Sequence, residues 1–233
     1  MIDLQKFIED PPVIHGGGTS TVHHISRRTI DVLNDIAKPD LHTIETGIGF
    51  STLVFTLNQC SHISIAPVLQ EKQDLIDYFI KYDINYDSTS FMTEKSEFVL
   101  PKLIDRKSEI DIVFIDGRHA FPTPFIDFYY LSLILTKGGI LFIDDIHIWT
   151  GKILYDFLLQ DDRWSLIKNI VGRTAIFEKK EVVEHSEWWG QQPFVVSKSK
   201  KNLWKSKIRQ LGDAVLRGDF HKITRKLNRY LNK

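Results

Sequence analysis

The strongest constraint on this chain is a regular alternation of short apolar runs with helical segments. "LHTIET" (41–46), "HISIAP" (62–67), "STSFMT" (88–93), "IDIVFIDG" (110–117) and "ILFIDDI" (140–146) each read as a strand. Between them, "STLVFTLNQC", "LQEKQDLIDYFIKYDI", "KSEFVLPKLI" and "PFIDFYYLSLILT" place apolar residues at helical spacing. "SRRTIDVLNDIA" precedes the series and stops before Pro39, where a helix must end. "KILYDFLLQDD" follows it, and "WSLIKNIV" and "TAIFEKK" read as a closing antiparallel hairpin. Strands alternating with helices imply right-handed crossovers, a parallel sheet and helices on both faces. The expected class is α/β: a mostly parallel sheet with an antiparallel closing hairpin. Ligands of such sheets bind outside the carboxyl ends of the strands, at the switch point. "ETGIG", "IDG" and "IDD" all fall at that end.

Composition narrows the class further. At 233 residues, 42% apolar and 26% charged, the chain fits one large soluble domain, or a domain with an appendage. No run of 18 apolar residues predicts a spanning helix. "MIDLQKFIEDPP" is acidic and lacks the apolar stretch of a signal peptide. The single Cys60 excludes an internal disulfide and agrees with a reducing compartment, so a cytoplasmic protein is expected. A zero net charge conceals an asymmetry: Lys198 to Lys233 carries twelve Lys/Arg against Asp213 and Asp219, a net +10. The remainder is correspondingly acidic, at −10. Three regions are expected: an N-terminal lid or arm over 1–24, the α/β domain over 25–182, and a basic helical extension over 183–233.

Three stretches carry a family likeness. "ETGIGFST" after the first strand resembles motif I of class I S-adenosylmethionine-dependent methyltransferases. "DIVFIDGRHAF" and "LTKGGILFIDD" resemble the fourth- and fifth-strand signatures of the methyltransferase-24 type, in the same order and spacing, over roughly residues 25–180. The resemblance implies a Rossmann-like fold and S-adenosylmethionine as cofactor. It places the cofactor on Glu45, Gly47, Gly49, Ser51 and Asp116, with the adenine near Thr93 to Ser96. Gly47 and Gly49 would let the backbone approach the methionine moiety, and the next helix N-terminus offers free N–H groups to its carboxylate. Glu45 suits the cationic end. The competing reading is that both glycines only make a tight strand-to-helix turn. One departure stands out: the acid that ends the second strand in most of the class is Ala66 here, and Glu71 lies more than a turn later.

Asp116, Asp144 and Asp145 end two adjacent strands. In cation-dependent relatives of this architecture such acids hold a divalent ion, so the resemblance implies Mg²⁺ as an optional ligand that would lower the pKa of a substrate hydroxyl. The alternative is that Asp116 orders the Gly117 turn while Asp144 and Asp145 cap the following segment. Arg118 stands where related enzymes place an acidic base. His119, just after Asp116, is the natural general base, and His147 reads as structural. The expected catalytic set is therefore His119, Asp116 and Asp144. His23 and His24 belong to the "GGGTSTVHH" segment, read as a lid or a surface loop. Trp188 and Trp189 read as a packing anchor, and the tail beyond them as two short helices with Leu203, Ile208, Leu211, Val215 and Leu216 on one side.

These features favour O-methylation of a small-molecule or sugar hydroxyl over nucleic acid, whose phosphates the acidic strand ends would repel. Peripheral membrane contact or self-association through the tail, and a homo-oligomer, are the expected partnerships. The rival reading is a non-catalytic methyltransferase-like module that binds through its crevice or its basic tail.

Overall fold

The computed structural model describes residues 2–14, 25–105, 109–182 and 188–217. A seven-stranded sheet organises the first 184 residues. Its strands are β1 (His42–Thr46), β2 (Ser61–Ile65), β3 (Thr89–Met92), β4 (Ile110–Ile115), β5 (Leu135–Ile143), β6 (Trp164–Ile170) and β7 (Thr174–Lys179). The order is β3-β2-β1-β4-β5-β7-β6. All pairs from β3 to β5 are parallel, and β7 pairs antiparallel with both β5 and β6. The expected closing hairpin is therefore present, and the sheet reverses direction of travel between β1 and β4.

The helices are α1 (Gln5–Glu9), α2 (Arg27–Ile36), α3 (Phe50–Leu57), α4 (Leu69–Lys81), α5 (Ser96–Asp105), α6 (Thr123–Ile134), α7 (Trp149–Leu158) and α8 (Pro193–Leu216). They divide between the two faces. Leu33 of α2, Phe55 of α3 and Phe79 of α4 share one core with Phe114 and Phe142. Leu100 of α5, Leu131 of α6 and Leu154 of α7 share the other with Val113 and Leu141. Successive residues of β4 and β5 thus serve opposite faces, which is why both strands read as continuous apolar runs.

Residues 2–14 pack on the domain. Phe7 is buried and its ring meets those of Tyr78 and Tyr82 on α4, with centroids 6.5 and 5.5 Å away. Lys81 reaches Asp10 at 2.6 Å. Of the expected lid, residues 15–24, with His23 and His24, lie outside the described residues.

One buried cation is explained by the sheet. Lys179 of β7 is only 2% exposed, and its ammonium donates to the carbonyls of Ser132 (2.8 Å) and Leu135 at the end of α6. A positive charge there satisfies carbonyls that the helix leaves open. The C-terminal unit differs from expectation. Its described part, after a short 3₁₀ turn at Trp189–Gln191, is one 24-residue helix, α8, that runs through Gly212. Gly212 weakens a helix interior by about 1 kcal/mol but lacks the positive φ that would stop it. Leu203, Ile208, Val215 and Leu216 are exposed along it. Among the described residues no helix is long and apolar enough to cross a membrane.

Candidate active site

The turns that end β1 and β4 touch each other at the switch point. Gly47 has φ +113°, and a Cβ built on it would lie 2.6 Å from the Asp116 carbonyl oxygen. A Cβ on Gly117 would come within 3.2 Å of Thr46. At Gly47 only a glycine allows the turns to nest, while the Gly117 contact is merely tight. The Gly47 N–H donates to the Ile65 carbonyl at 2.9 Å, and Ser64 donates to the Gly47 carbonyl at 2.9 Å, so β2 holds the loop. Gly49 is different: its φ of 167° is extended backbone, and a Cβ there would meet nothing within 4 Å.

Beside this nested turn lies a cavity of about 620 Å³, within the range of small-molecule and cofactor sites. Gly47, Gly49 and Ser51 line it, as do Ser96, Asp116, His119, Asp144 and Asp145. Most of the residues expected from the sequence are therefore assembled around one space. Two are not. Glu45 is fully buried, with its carboxylate turned away into the protein. Ser51 donates to it at 2.5 Å, Thr52 also donates, and His62 Nε2 stands 3.0 Å away. Thr43 and the stacked ring of Phe55 (4.6 Å) fix His62 in turn. Glu45 thus braces β1, α3 and β2 behind the Gly47 loop and does not line the cavity. Thr93 faces a separate, shallow pocket with Glu94 and Lys102.

The departure at the second strand also resolves structurally. Ala66 lines the cavity, and so does Glu71 from the first turn of α4.

The acidic residues divide by partner. Asp144 is 6% exposed and accepts from Thr174 at 2.5 Å, with Thr29 behind it at 2.9 Å. Asp145 carries three basic neighbours: His119 Nε2 at 3.1 Å, Arg173 at 3.0 Å and His147 at 3.6 Å. Asp145 also has φ +52°, a left-handed conformation that is uncommon for a side-chain-bearing residue and concentrates at functional sites. His119 is held from behind as well, since Thr150 donates to its carbonyl at 2.6 Å. Burial raises the Asp116 carboxyl well above its usual range, and the charges of Asp144, Asp145 and Glu45 raise it further. Asp144 is raised by burial too, against the pull of its Thr174 hydrogen bond.

Of the three aspartates expected as a possible metal set, Asp144 accepts from Thr174 and Asp145 pairs with Arg173. A different trio, Asp116, His119 and Asp145, offers ligand atoms that all lie within 4.8 Å of one another. Arg173, already ion-paired to Asp145, sets a fixed positive charge beside that trio. This fits a bound cation poorly.

One cavity residue escaped the sequence reading. Asp127, in the middle of the apolar "PFIDFYY" helix, is 1% exposed and lines the cavity. Burial pushes its carboxyl up to about 6, with Ser96 and Thr46 opposing the rise. Its signal was an acid on the buried side of α6. Cys60 is buried with its thiol pushed up to about 11, as a core residue should be.

The fold is the Rossmann-like α/β one expected, with nested glycine turns at its switch point. Residues 44–146 match the family model described as a methyltransferase domain. By sequence, no curated protein matches the chain. Among solved structures it resembles the O-methyltransferase from Bacillus cereus in complex with SAH (13% identity, 69% of this chain and 84% of that one, TM-score 0.57). It also resembles TomG, the O-methyltransferase of tomaymycin synthesis from Streptomyces achromogenes, in complex with SAM (13%, 68% and 82%, 0.55). An rRNA methylase from Streptococcus thermophilus shares the fold as well (13%, 68% and 99%, 0.51). At these identities the likeness is one of fold, and it spans different acceptors.

Proposed function

We propose that the protein transfers a methyl group from S-adenosylmethionine to a hydroxyl of a small molecule, with His119 as general base and Asp145 as the residue that positions it. The observation that carries this reading is the His119–Asp145 pair, 3.1 Å apart on the wall of the cavity shaped by Gly47. The cofactor suits this space: Gly47 and Gly49 leave the loop bare, and the N-terminus of α3 opens beside it. The SAM and SAH complexes of the two O-methyltransferase neighbours support the same ligand and the same reaction type.

When bound, S-adenosylmethionine supplies an electrophilic methyl group on a sulfonium. The chain must hold the acceptor oxygen in line and remove its proton. An ionised Asp145 only accepts hydrogen bonds, so the His119 Nε2 carries the hydrogen facing it and Nδ1 is left to take the proton from the acceptor hydroxyl. Arg173, 3.0 Å from the other carboxylate oxygen, holds Asp145 turned toward the imidazole.

The test is methyl incorporation from labelled cofactor into hydroxylated small molecules, sugars included, drawn from extract fractions. Once an acceptor is found, His119→Ala should lower kcat by roughly 10²–10⁴-fold, with chelation by EDTA leaving the rate unchanged. A second reading rests on the Asp116, His119 and Asp145 trio as a cation site. Loss of activity in EDTA with recovery in Mg²⁺ would establish it and displace the base. Cofactor binding without any methyl transfer would leave the non-catalytic module.

A further inference from the structure

The C-terminal unit carries a surface that the proposed transfer does not use. After the turn at Trp189–Gln191, α8 runs as one helix of 24 residues, about 36 Å long at a rise of 1.5 Å per residue. It holds six Lys/Arg against one acid, Asp213, a net +5. Trp204, Ile208, Leu211 and Val215 recur at spacings of four, three and four residues, which sets them in one stripe along the helix. Lys201 and Lys205 border that stripe on one side and Lys200 and Lys207 on the other, and all four are exposed. Trp204 is 65% exposed, Ile208 47% and Val215 58%. Trp188 and Trp189, read from sequence as a packing anchor, are exposed as well, with ring centroids 5.6 Å apart. Three of the five tryptophans of the chain are thus exposed in this short unit.

An apolar stripe left in water is unfavourable, so its partner must offer apolar surface. The lysines restrict that partner further. A second copy of the same helix, packed along this stripe in either direction, sets lysine against lysine at the bordering positions and is repelled. Nucleic acid takes the lysines and leaves the stripe in water. An anionic bilayer surface meets both halves at once. Its acyl boundary accepts Ile208, Leu211 and Val215, and its headgroup level suits the amphipathic indole of Trp204. Its negative charge attracts lysines that extend their stems beside the stripe. The helix is not apolar enough to cross the bilayer, so it lies in the plane of the surface.

We propose that α8 is an interfacial anchor. It lies along an anionic lipid surface, with Trp204, Ile208, Leu211 and Val215 inserted among the headgroups and the bordering lysines against the lipid phosphates. The anchor does not depend on the reading of the cavity, whose residues belong to the other unit.

The experiment is co-sedimentation of the full chain with two kinds of vesicle, phosphatidylcholine alone and phosphatidylcholine mixed with phosphatidylglycerol. Wild type should bind the mixed vesicles at least about 10-fold more tightly, and less so as salt is raised. Trp204→Ser with Ile208→Ser, and separately Lys201→Glu with Lys205→Glu, should each weaken that binding by about 10-fold or more. These side chains are exposed, so an unchanged melting temperature shows that a loss of binding is not a loss of fold. No binding to mixed vesicles, or equal binding to neutral ones, overturns the proposal. Binding that survives Trp204→Ser with Ile208→Ser overturns it too, since the attraction is then one of charge alone. A concentration-dependent dimer without vesicle binding assigns the stripe to a second copy of this chain. Binding of a duplex oligonucleotide in place of vesicles assigns the lysines to nucleic acid. Either result overturns the anchor.

Discussion

Gly47 and Gly49 stand two residues apart and do different things. At Gly47 a side chain meets both a left-handed φ of +113° and the Asp116 carbonyl at 2.6 Å, with backbone on each side that cannot give way. Gly47→Ala should therefore destabilise the fold by about 2–4 kcal/mol and abolish binding of S-adenosylhomocysteine. Gly49 has extended backbone and open space, so Gly49→Ala should leave the melting temperature within about 2 °C of wild type. Thermal melts of the two variants separate these outcomes, and equal losses would mean that the loop does not nest on the β4 turn. From sequence the pair reads as one motif; the difference lies in which glycine faces the neighbouring strand.

At the scale of elements, Glu45 shows how a motif residue can serve the fold first. Its carboxylate accepts from Ser51 and Thr52 of α3 and meets His62 of β2, so one side chain joins three elements behind the ligand loop. Removing it strands three buried polar groups at once. Glu45→Ala should cost about 3–5 kcal/mol, as breaking a buried pair does, measured by urea denaturation. A direct cofactor contact would instead lower affinity while leaving stability unchanged, and that result would restore the expected role. The strand-helix alternation itself was fully legible, because a strand buried on both faces must be apolar throughout. The internal partners of Glu45 were not, because His62 reaches it across β1 and β2, 17 residues away.

At the scale of the whole molecule, the cavity gathers more acid than its surroundings neutralise. Asp116, Asp127 and Asp144 are all held above the ordinary carboxylate range, burial being the first cause in each. A carboxyl with a raised folded pKa binds protons more tightly in the native state than in the unfolded chain. Its protonation therefore favours the fold at low pH, and stability is lost as pH rises through the folded value. For Asp127 that window runs from the ordinary aspartate value of 3.8 up to about 6, and corresponds to about 3 kcal/mol at most. Asp127→Asn should accordingly gain stability relative to wild type between pH 4 and pH 7, then hold that gain above it. Denaturation midpoints at a series of pH values check this, and a constant difference would mean that the carboxyl is not raised.

The apolar periods, the glycine turns and the acids that close β4 and β5 were determined by the sequence alone, since burial on two faces and a bare turn leave direct marks on residue type. So was the rim where "ETGIG", "IDG" and "IDD" meet, because parallel strands bring their carboxyl ends to one edge. The tertiary structure decided which acid has which partner. Thr174 comes from the antiparallel hairpin to take Asp144, Arg173 beside it takes Asp145, and His119 completes that pair. Asp127 was hidden for the same reason: on a helix it is one acid among apolar neighbours, and only the packing of α6 against α5 and β1 turns it inward. Hydrogen bonds depend on distances of a few tenths of an ångström between residues far apart in the chain, and no local pattern encodes them.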